Sequence, residues 1–101
     1  MLRRGQAQGL ALQGRVLAAQ GKAELAEEAF ESAVAAAHKY GLRLYEMFAL
    51  RDLKKHVLDG DGRGDEGIRR LETVLREMKG PPAELTKLLG EGLDAEAILR
   101  S

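Results

Sequence analysis

The residues of this sequence that could do chemistry are few and widely spread. His38 and His56 are its two imidazoles, and it contains no cysteine. A zinc site would therefore need both histidines, from different helices, together with carboxylates. The alternative is one histidine at a helix end and a second that is partly buried and hydrogen-bonded. We expect no bound metal and no cofactor.

The segment from Asp59 to Asp65 carries acidic residues at alternate positions, as calcium-binding loops do. Arg63 nevertheless occupies one ligand position of such a loop, and Arg70 stands where the terminal bidentate glutamate belongs. Because a guanidinium group repels a cation, we interpret the segment as an exposed, glycine-rich turn.

Nucleophilic catalysis has little to use in this chain. Ser32 lies within an alanine-rich helical pattern, and Ser101 is the last residue. The sequence has no strand-to-helix nucleophile turn, and its glycines form no phosphate-binding loop after a strand. We expect a protein that is not an enzyme.

Composition favours one small domain without a nucleic-acid or membrane partner. The chain has 101 residues, of which 45% are hydrophobic and 32% charged. Its 16 basic and 16 acidic side chains cancel, which argues against a nucleic-acid partner held by phosphate charge. No apolar run approaches the roughly 20 residues of a membrane span, and the first residues do not resemble a signal peptide. We expect no membrane partner and a cytoplasmic location.

Apolar residues recur at helical spacing along most of the chain. Between Leu25 and Ala37, two adjacent apolar residues return at every fourth position, which forms one stripe on a helix. Breakers such as Gly21, Gly41 and the run 59–64 separate such patterns. We predict an all-α single domain over residues 1–101. It consists of antiparallel helical hairpins at about 2–40 and 42–79 and a short C-terminal capping segment at 81–100.

Local signals mark helix starts and surface pairs. Asp65 and Asp94 are predicted to cap the helices that follow them. Gly5, Gly9 and Gly14 weaken an isolated first helix, so we expect them to let a neighbouring helix come close. Two glutamate–arginine pairs at four-residue spacing are expected to stabilise the fourth helix, namely Glu66–Arg70 and Glu72–Arg76.

The first hairpin resembles a tetratricopeptide repeat. The resemblance lies in Gln13-Gly14-x2-Leu17, then Gly21, then Ala26-x3-Phe30 and Ala33. In that family, small residues at the helix crossing enclose one large residue, and here Phe30 is the large one. A weaker second copy comprises Leu53, His56, Gly60, Gly67-x3-Leu71 and Val74. Gly60 of the second copy follows Gly21 of the first after 39 residues, whereas the usual repeat is about 34 residues long. This longer spacing is similar to that of the long-helix variants of the family.

The resemblance implies a protein–protein interaction module. In the family, the first helix of each pair lines a groove that binds a peptide or helix of a partner protein. Transferred to this chain, that groove contains Gln8, Arg15, Met47, Leu50 and Lys54. Arg15 and Lys54 would attract carboxylates, and Met47 and Leu50 would form an adaptable apolar floor. The alternative is that these two apolar residues are core or dimer contacts.

Other functions stay open at this stage. The heavily apolar third helix could pair two chains, which would make the protein a structural homo-oligomer or homodimer. The chain could also be the regulatory C-terminal tail of a larger signalling protein. A generic helical bundle would carry the same apolar periodicity without the repeat.

Overall fold

The described part of this protein is built from helices only. The computed structural model describes residues 3–100, with side chains from residue 5. Six α-helices follow one another along that range, so the predicted all-α class is confirmed. Their bounds are Arg3–Ala19 (α1), Ala23–Lys39 (α2), Arg43–Leu53 (α3), Gly64–Met78 (α4), Pro82–Leu89 (α5) and Ala95–Leu99 (α6).

The third helix continues beyond α3 in a wider form. Lys54–Leu58 makes a π-helical turn, and Asp59–Asp61 makes a short 3-10 turn. The amide of Asp59 donates to the carbonyl of Lys54, five residues back. The third helix expected from the sequence is therefore present, and its residues Lys54–Leu58 are wound more loosely than α3.

Tight glycine turns join the first three helices. Gly21 and Gly41 have φ values of +78° and +70°, a left-handed conformation that glycine adopts without a steric penalty. Across the first turn, the amide of Lys22 donates to the carbonyl of Leu17 at 3.0 Å, as in helices that end on a left-handed residue. Because only three residues separate these helices, consecutive helices run antiparallel.

A glycine-to-ring contact closes the first hairpin. A Cβ atom added at Gly14 would lie 2.8 Å from the ring of Phe30, so α1 can approach α2 this closely only without a side chain there. Phe30, Ala26 and Ala33 are fully buried. The predicted packing of small residues around one large ring is confirmed. Gly9, by contrast, is exposed and meets no atom within 4 Å, so its predicted role in helix approach is wrong.

The second hairpin repeats the arrangement with aliphatic residues. Gly67, Leu71 and Val74, which align with Ala26, Phe30 and Ala33, are buried on α4. A Cβ atom added at Gly67 would lie 2.9 Å from the Cβ atom of Lys54. A residue without a side chain therefore sits at a close helix crossing in each hairpin.

The C-terminal helices cover the apolar end of the second hairpin. Leu85, Leu89 and Ile98 are buried, and they belong to the same core as α3 and α4. The Asp94 carboxylate accepts hydrogen bonds from the amides of residues 96 and 97, so its predicted N-cap is confirmed. The predicted cap at Asp65 is wrong, because α4 begins one residue earlier, at Gly64, and Asp65 lies within the first turn.

Two ion pairs connect α2 to α4. Glu27 accepts from Arg63 at 2.9 Å, and Glu31 accepts from Arg70 at 2.7 Å. The earlier glutamate of α2 pairs with the earlier arginine, and the later glutamate with the later arginine. The helices α2 and α4 therefore run in the same direction. The predicted pair Glu66–Arg70 is replaced by this longer-range contact. The other predicted pair, Glu72–Arg76, is present at 2.6 Å.

Substituting Gly9 and Gly14 of α1 separates helix propensity from helix packing. Gly14→Ala should lower the free energy of unfolding by about 1–3 kcal/mol, because the new methyl group overlaps the ring of Phe30. Gly9→Ala should raise it by up to about 1 kcal/mol, because alanine favours an exposed helical position. Urea unfolding of both variants beside the native chain measures the difference. Equal effects at the two sites would contradict the close approach at Gly14.

The Glu27 carboxyl makes the free energy of unfolding depend on pH. Its hydrogen bond from Arg63 holds its pKa below the ordinary value of 4.5, so folding favours the ionised form. The stabilisation from ionised Glu27 is present at pH values above the ordinary pKa. It is lost as the pH falls through the lowered pKa of the folded protein. Glu27→Gln should therefore destabilise the protein at pH 7 and have a smaller effect at pH 3. Glu28→Gln, on the exposed face of α2, is the matched control, and thermal unfolding at both pH values reads out the result.

Candidate functional site

The predicted groove residues divide between core and surface. Met47 is fully buried and Leu50 is 2% exposed, and both belong to the apolar core. They form no open floor, and their position matches the core alternative that the sequence also allows. Gln8 and Arg15 are exposed on α1. Lys54 lies at the start of the π-helical turn, with its ammonium group 3.1 Å from Asp59.

A cleft between α1 and α3 contains two of the predicted residues. It has a volume of about 180 Å³. That space accepts one side chain or a chain terminus rather than a whole helix. Its lining residues are Ala7, Gln8, Ala11 and Arg15 from α1 and Tyr45, Phe48, Ala49, Arg51 and Asp52 from α3. We call it the α1–α3 cleft.

A buried carboxylate organises the charges of the α1–α3 cleft. Asp52 is only 5% exposed. Arg15 Nη1 donates to its Oδ2 at 3.0 Å, and Arg51 Nε donates to its Oδ1 at 3.2 Å. A buried carboxylate is tolerated when it is paired and hydrogen-bonded, and here two guanidinium groups share it. The lining of the cleft therefore carries one formal positive charge in excess.

The two arginines are restrained to different degrees. Arg51 also donates from Nη1 to the carbonyl of Leu89 at 3.1 Å, and its guanidinium lies 4.9 Å from the ring centre of Phe48. Arg15 makes its one hydrogen bond within the described chain to Asp52, and 44% of its side chain is exposed. Since a guanidinium has five N–H donors, Arg15 keeps donors directed at solvent.

Aromatic rings form the apolar wall of the same cleft. Tyr45 and Phe48 pack edge to face, with ring centres 6.2 Å apart, a favourable geometry for two aromatic side chains. Both are partly exposed. The α1–α3 cleft thus combines an aromatic wall with the arginine side chains that Asp52 holds.

Lys54 belongs to a second, smaller cleft between the π-helical turn and the loop that follows α5. Its volume is about 110 Å³. Lys54 pairs there with Asp59, and Lys55 pairs with Glu91. The ammonium of Lys55 lowers the pKa of the Glu91 carboxyl. With Arg51, which also lines it, this cleft carries the same formal excess of one positive charge as the α1–α3 cleft.

Sequence reasoning missed Tyr45, Phe48, Arg51 and Asp52. One available signal was Asp52 itself, an acidic residue next to Leu53 on a heavily apolar helix. A carboxylate that is forced inward by its neighbours must find cationic partners. Arg51 follows from the sequence as an adjacent partner, whereas Arg15, 37 residues away, is brought near only by the fold.

The residues considered for metal binding have other contacts. His38 Nδ1 lies 3.2 Å from the buried carboxylate of Glu46, and His56 stacks on Phe30. Asp61 pairs with Arg63 in the glycine-rich turn. Residues 3–100 contain no group of three or more potential ligands placed to hold a metal ion. No helix in that range is both long and apolar enough to cross a bilayer.

The geometry defines an all-α protein of helical hairpins in which the α1–α3 cleft carries an excess positive charge. Comparison with protein-family models, curated proteins and solved structures finds no match.

Removing the Asp52 carboxylate should destabilise the folded protein. Asp52→Ala leaves the guanidinium of Arg51, whose side chain is 19% exposed, without its anionic partner, and we expect a loss of about 1–3 kcal/mol in the free energy of unfolding. Asp61→Ala, which removes an exposed carboxylate, should change stability by less than about 0.5 kcal/mol. Chemical denaturation of both variants measures this. A loss at Asp52 as small as that at Asp61 would refute the organising role.

Proposed function

We propose that this protein is a non-catalytic interaction module whose α1–α3 cleft binds an acidic segment of a partner protein. The observation that carries the proposal is the pair of arginines held by one buried carboxylate beside two partly exposed aromatic rings. A carboxylate entering the cleft meets donors of Arg15 that point at solvent. Charge-assisted bonds of this kind are the stronger class of hydrogen bond in proteins.

The restrained geometry favours binding over mere surface charge. A free arginine loses side-chain freedom when it grips a ligand, and that loss weakens binding. Here Asp52 already restrains Arg15, and Arg51 is fixed by Asp52, Leu89 and Phe48. Much of the ordering is therefore complete before a ligand arrives.

The volume and the aromatic wall of the α1–α3 cleft restrict further which chemical groups can bind. About 180 Å³ suits one aspartate, glutamate or terminal carboxylate together with part of a flanking side chain. Tyr45 and Phe48 offer that flanking group an apolar surface. An acidic residue next to an apolar or aromatic one is thus the expected recognition element.

The helix arrangement supports the resemblance to tetratricopeptide repeats. Small residues lie at a close crossing in each hairpin, α1 packs beside α3, and α2 is tied to α4 by ion pairs in one direction. In such an array the first helices of successive pairs lie side by side. That is the surface on which the α1–α3 cleft opens.

A peptide selection tests the proposed function. Random peptides displayed on phage should be enriched in acidic residues by the native chain, and affinities of the selected peptides can be measured by fluorescence anisotropy. Arg15→Gln should weaken binding by about 10–100-fold, since a charged hydrogen bond contributes roughly 1.5–3 kcal/mol. Arg69→Gln removes the same charge from an exposed site on α4 and should leave affinity unchanged.

Two results would contradict the proposal. One is a set of selected peptides without carboxylates, and the other is an equal loss of affinity in the Arg15 and Arg69 variants. Circular dichroism of both variants confirms that each remains folded.

A further inference from the structure

Arg51 links the α1–α3 cleft to the smaller cleft beside Lys55. It lines both clefts. Phe48 precedes it by three residues on the same helix, and Lys55 follows it by four. Because residues at these spacings share one side of a helix, one surface runs from the aromatic wall of the α1–α3 cleft past Arg51 to Lys55. We call the smaller cleft the Lys55 cleft.

A carboxylate of the chain itself already occupies the Lys55 cleft. Glu91, in the loop that follows α5, pairs with the ammonium group of Lys55. The hydrogen bond from Lys55 lowers the pKa of the Glu91 carboxyl, and the charge of Arg51 acts in the same sense. The surroundings therefore favour an ionised carboxylate at this position, whichever molecule supplies it.

The charges of the two clefts limit how many further carboxylates can bind. Together the clefts are lined by four cationic side chains and three carboxylates. The cations are Arg15, Arg51, Lys54 and Lys55, and the carboxylates are Asp52, Asp59 and Glu91. Because the clefts share Arg51, the joint excess is a single positive charge. One incoming carboxylate balances that excess, and a second is balanced only where a carboxylate of the chain leaves.

Glu91 is the carboxylate that can leave most easily. Its side chain is 39% exposed and that of Lys55 is 51% exposed, and ion pairs this exposed contribute little to stability. Asp52 is buried and shared by two arginines. Asp59 pairs with Lys54, whose side chain is only 17% exposed and so is less accessible to a ligand. Rotation of the Glu91 side chain towards solvent frees the ammonium group of Lys55.

We infer that the Lys55 cleft is a second carboxylate position for the acidic partner segment and that Glu91 blocks it as an internal competitor. The inference rests on the proposed function, in which the first carboxylate binds Arg15 in the α1–α3 cleft. Asp52, which holds Arg15, precedes Lys55 by three residues, or roughly 5 Å along the helix axis. Alternate side chains of an extended segment point to the same side and lie roughly 7 Å apart. The expected ligand therefore has two acidic residues separated by one other residue.

Three capped, fluorescein-labelled peptides test this inference by fluorescence anisotropy. Each has phenylalanine on both sides of a three-residue centre, which is Glu-Ala-Glu, Glu-Ala-Gln or Glu-Glu-Ala. In the native chain, the second glutamate only replaces Glu91, so the three affinities should be similar. Glu91→Gln should bind the Glu-Ala-Glu peptide about threefold more tightly than the native chain does, which is within the range of exposed ion pairs. At physiological ionic strength, where distant charges are screened, its affinity for the other two should change by less than about twofold.

Matched variants assign the gain to the Lys55 cleft. Lys55→Gln in the Glu91→Gln background should abolish the gain, whereas Lys87→Gln in the same background should retain it. Glu84→Gln removes one negative charge from an exposed site on α5 and should leave all three affinities unchanged. Because all four sites lie on the surface, the variants should keep native circular dichroism.

The inference and the proposed function fail on different results. An equal gain for all three peptides in Glu91→Gln, or no gain for any of them, overturns the inference alone. The proposed function is judged by the Glu-Ala-Gln peptide, whose binding to the native chain should weaken on Arg15→Gln. If that binding does not depend on Arg15, the proposed function fails and the inference fails with it.

Discussion

The approach of α1 to the ring of Phe30 is the constraint on which the rest of the molecule depends. The ring is fully buried and touches Gly14, where any side chain would collide with it. His56, from the π-helical turn, stacks on the same ring with centres 6.0 Å apart. One phenyl group therefore sets α1, α2 and the end of the third helix at fixed distances. Those distances bring Arg15 within reach of Asp52 and so create the α1–α3 cleft.

Two buried carboxylates add specificity to this packing. Asp52 joins α3 to α1 through Arg15, and Glu46 joins α3 to the end of α2 through His38. Apolar contacts tolerate small rotations of one helix against another, whereas a buried charge without its partner is strongly unfavourable. Within the described residues, no buried side-chain nitrogen or oxygen lacks a hydrogen-bond partner. The carboxylates thus select one rotation of α3 among those that its many apolar residues would allow.

The sequence predicts the helices well and the site only in part, for a physical reason. Apolar periodicity and glycine turns are local signals, so the helix positions and the crossing around Phe30 follow from them. The face that α3 turns to the cleft does not, because neighbouring residues point about 100° apart. Met47, for which the sequence allows either the groove floor or the core, is buried, while Phe48, one residue further on, lines the cleft. Long-range partners such as Arg70 and Glu31 depend on how the hairpins stack, which no local pattern encodes.

The π-helical turn at Lys54–Leu58 has a consequence for how the chain can change in length. Residues five apart point about 140° from each other in an α-helix, but a turn closed by bonds between residues i and i+5 brings them close to alignment. Leu53 and Leu58 are both fully buried across this turn. The turn therefore absorbs one residue more than an α-helix needs while keeping the same sides of the chain inside. It is the point in this helix where the deletion of a single residue leaves the inward faces on either side unchanged.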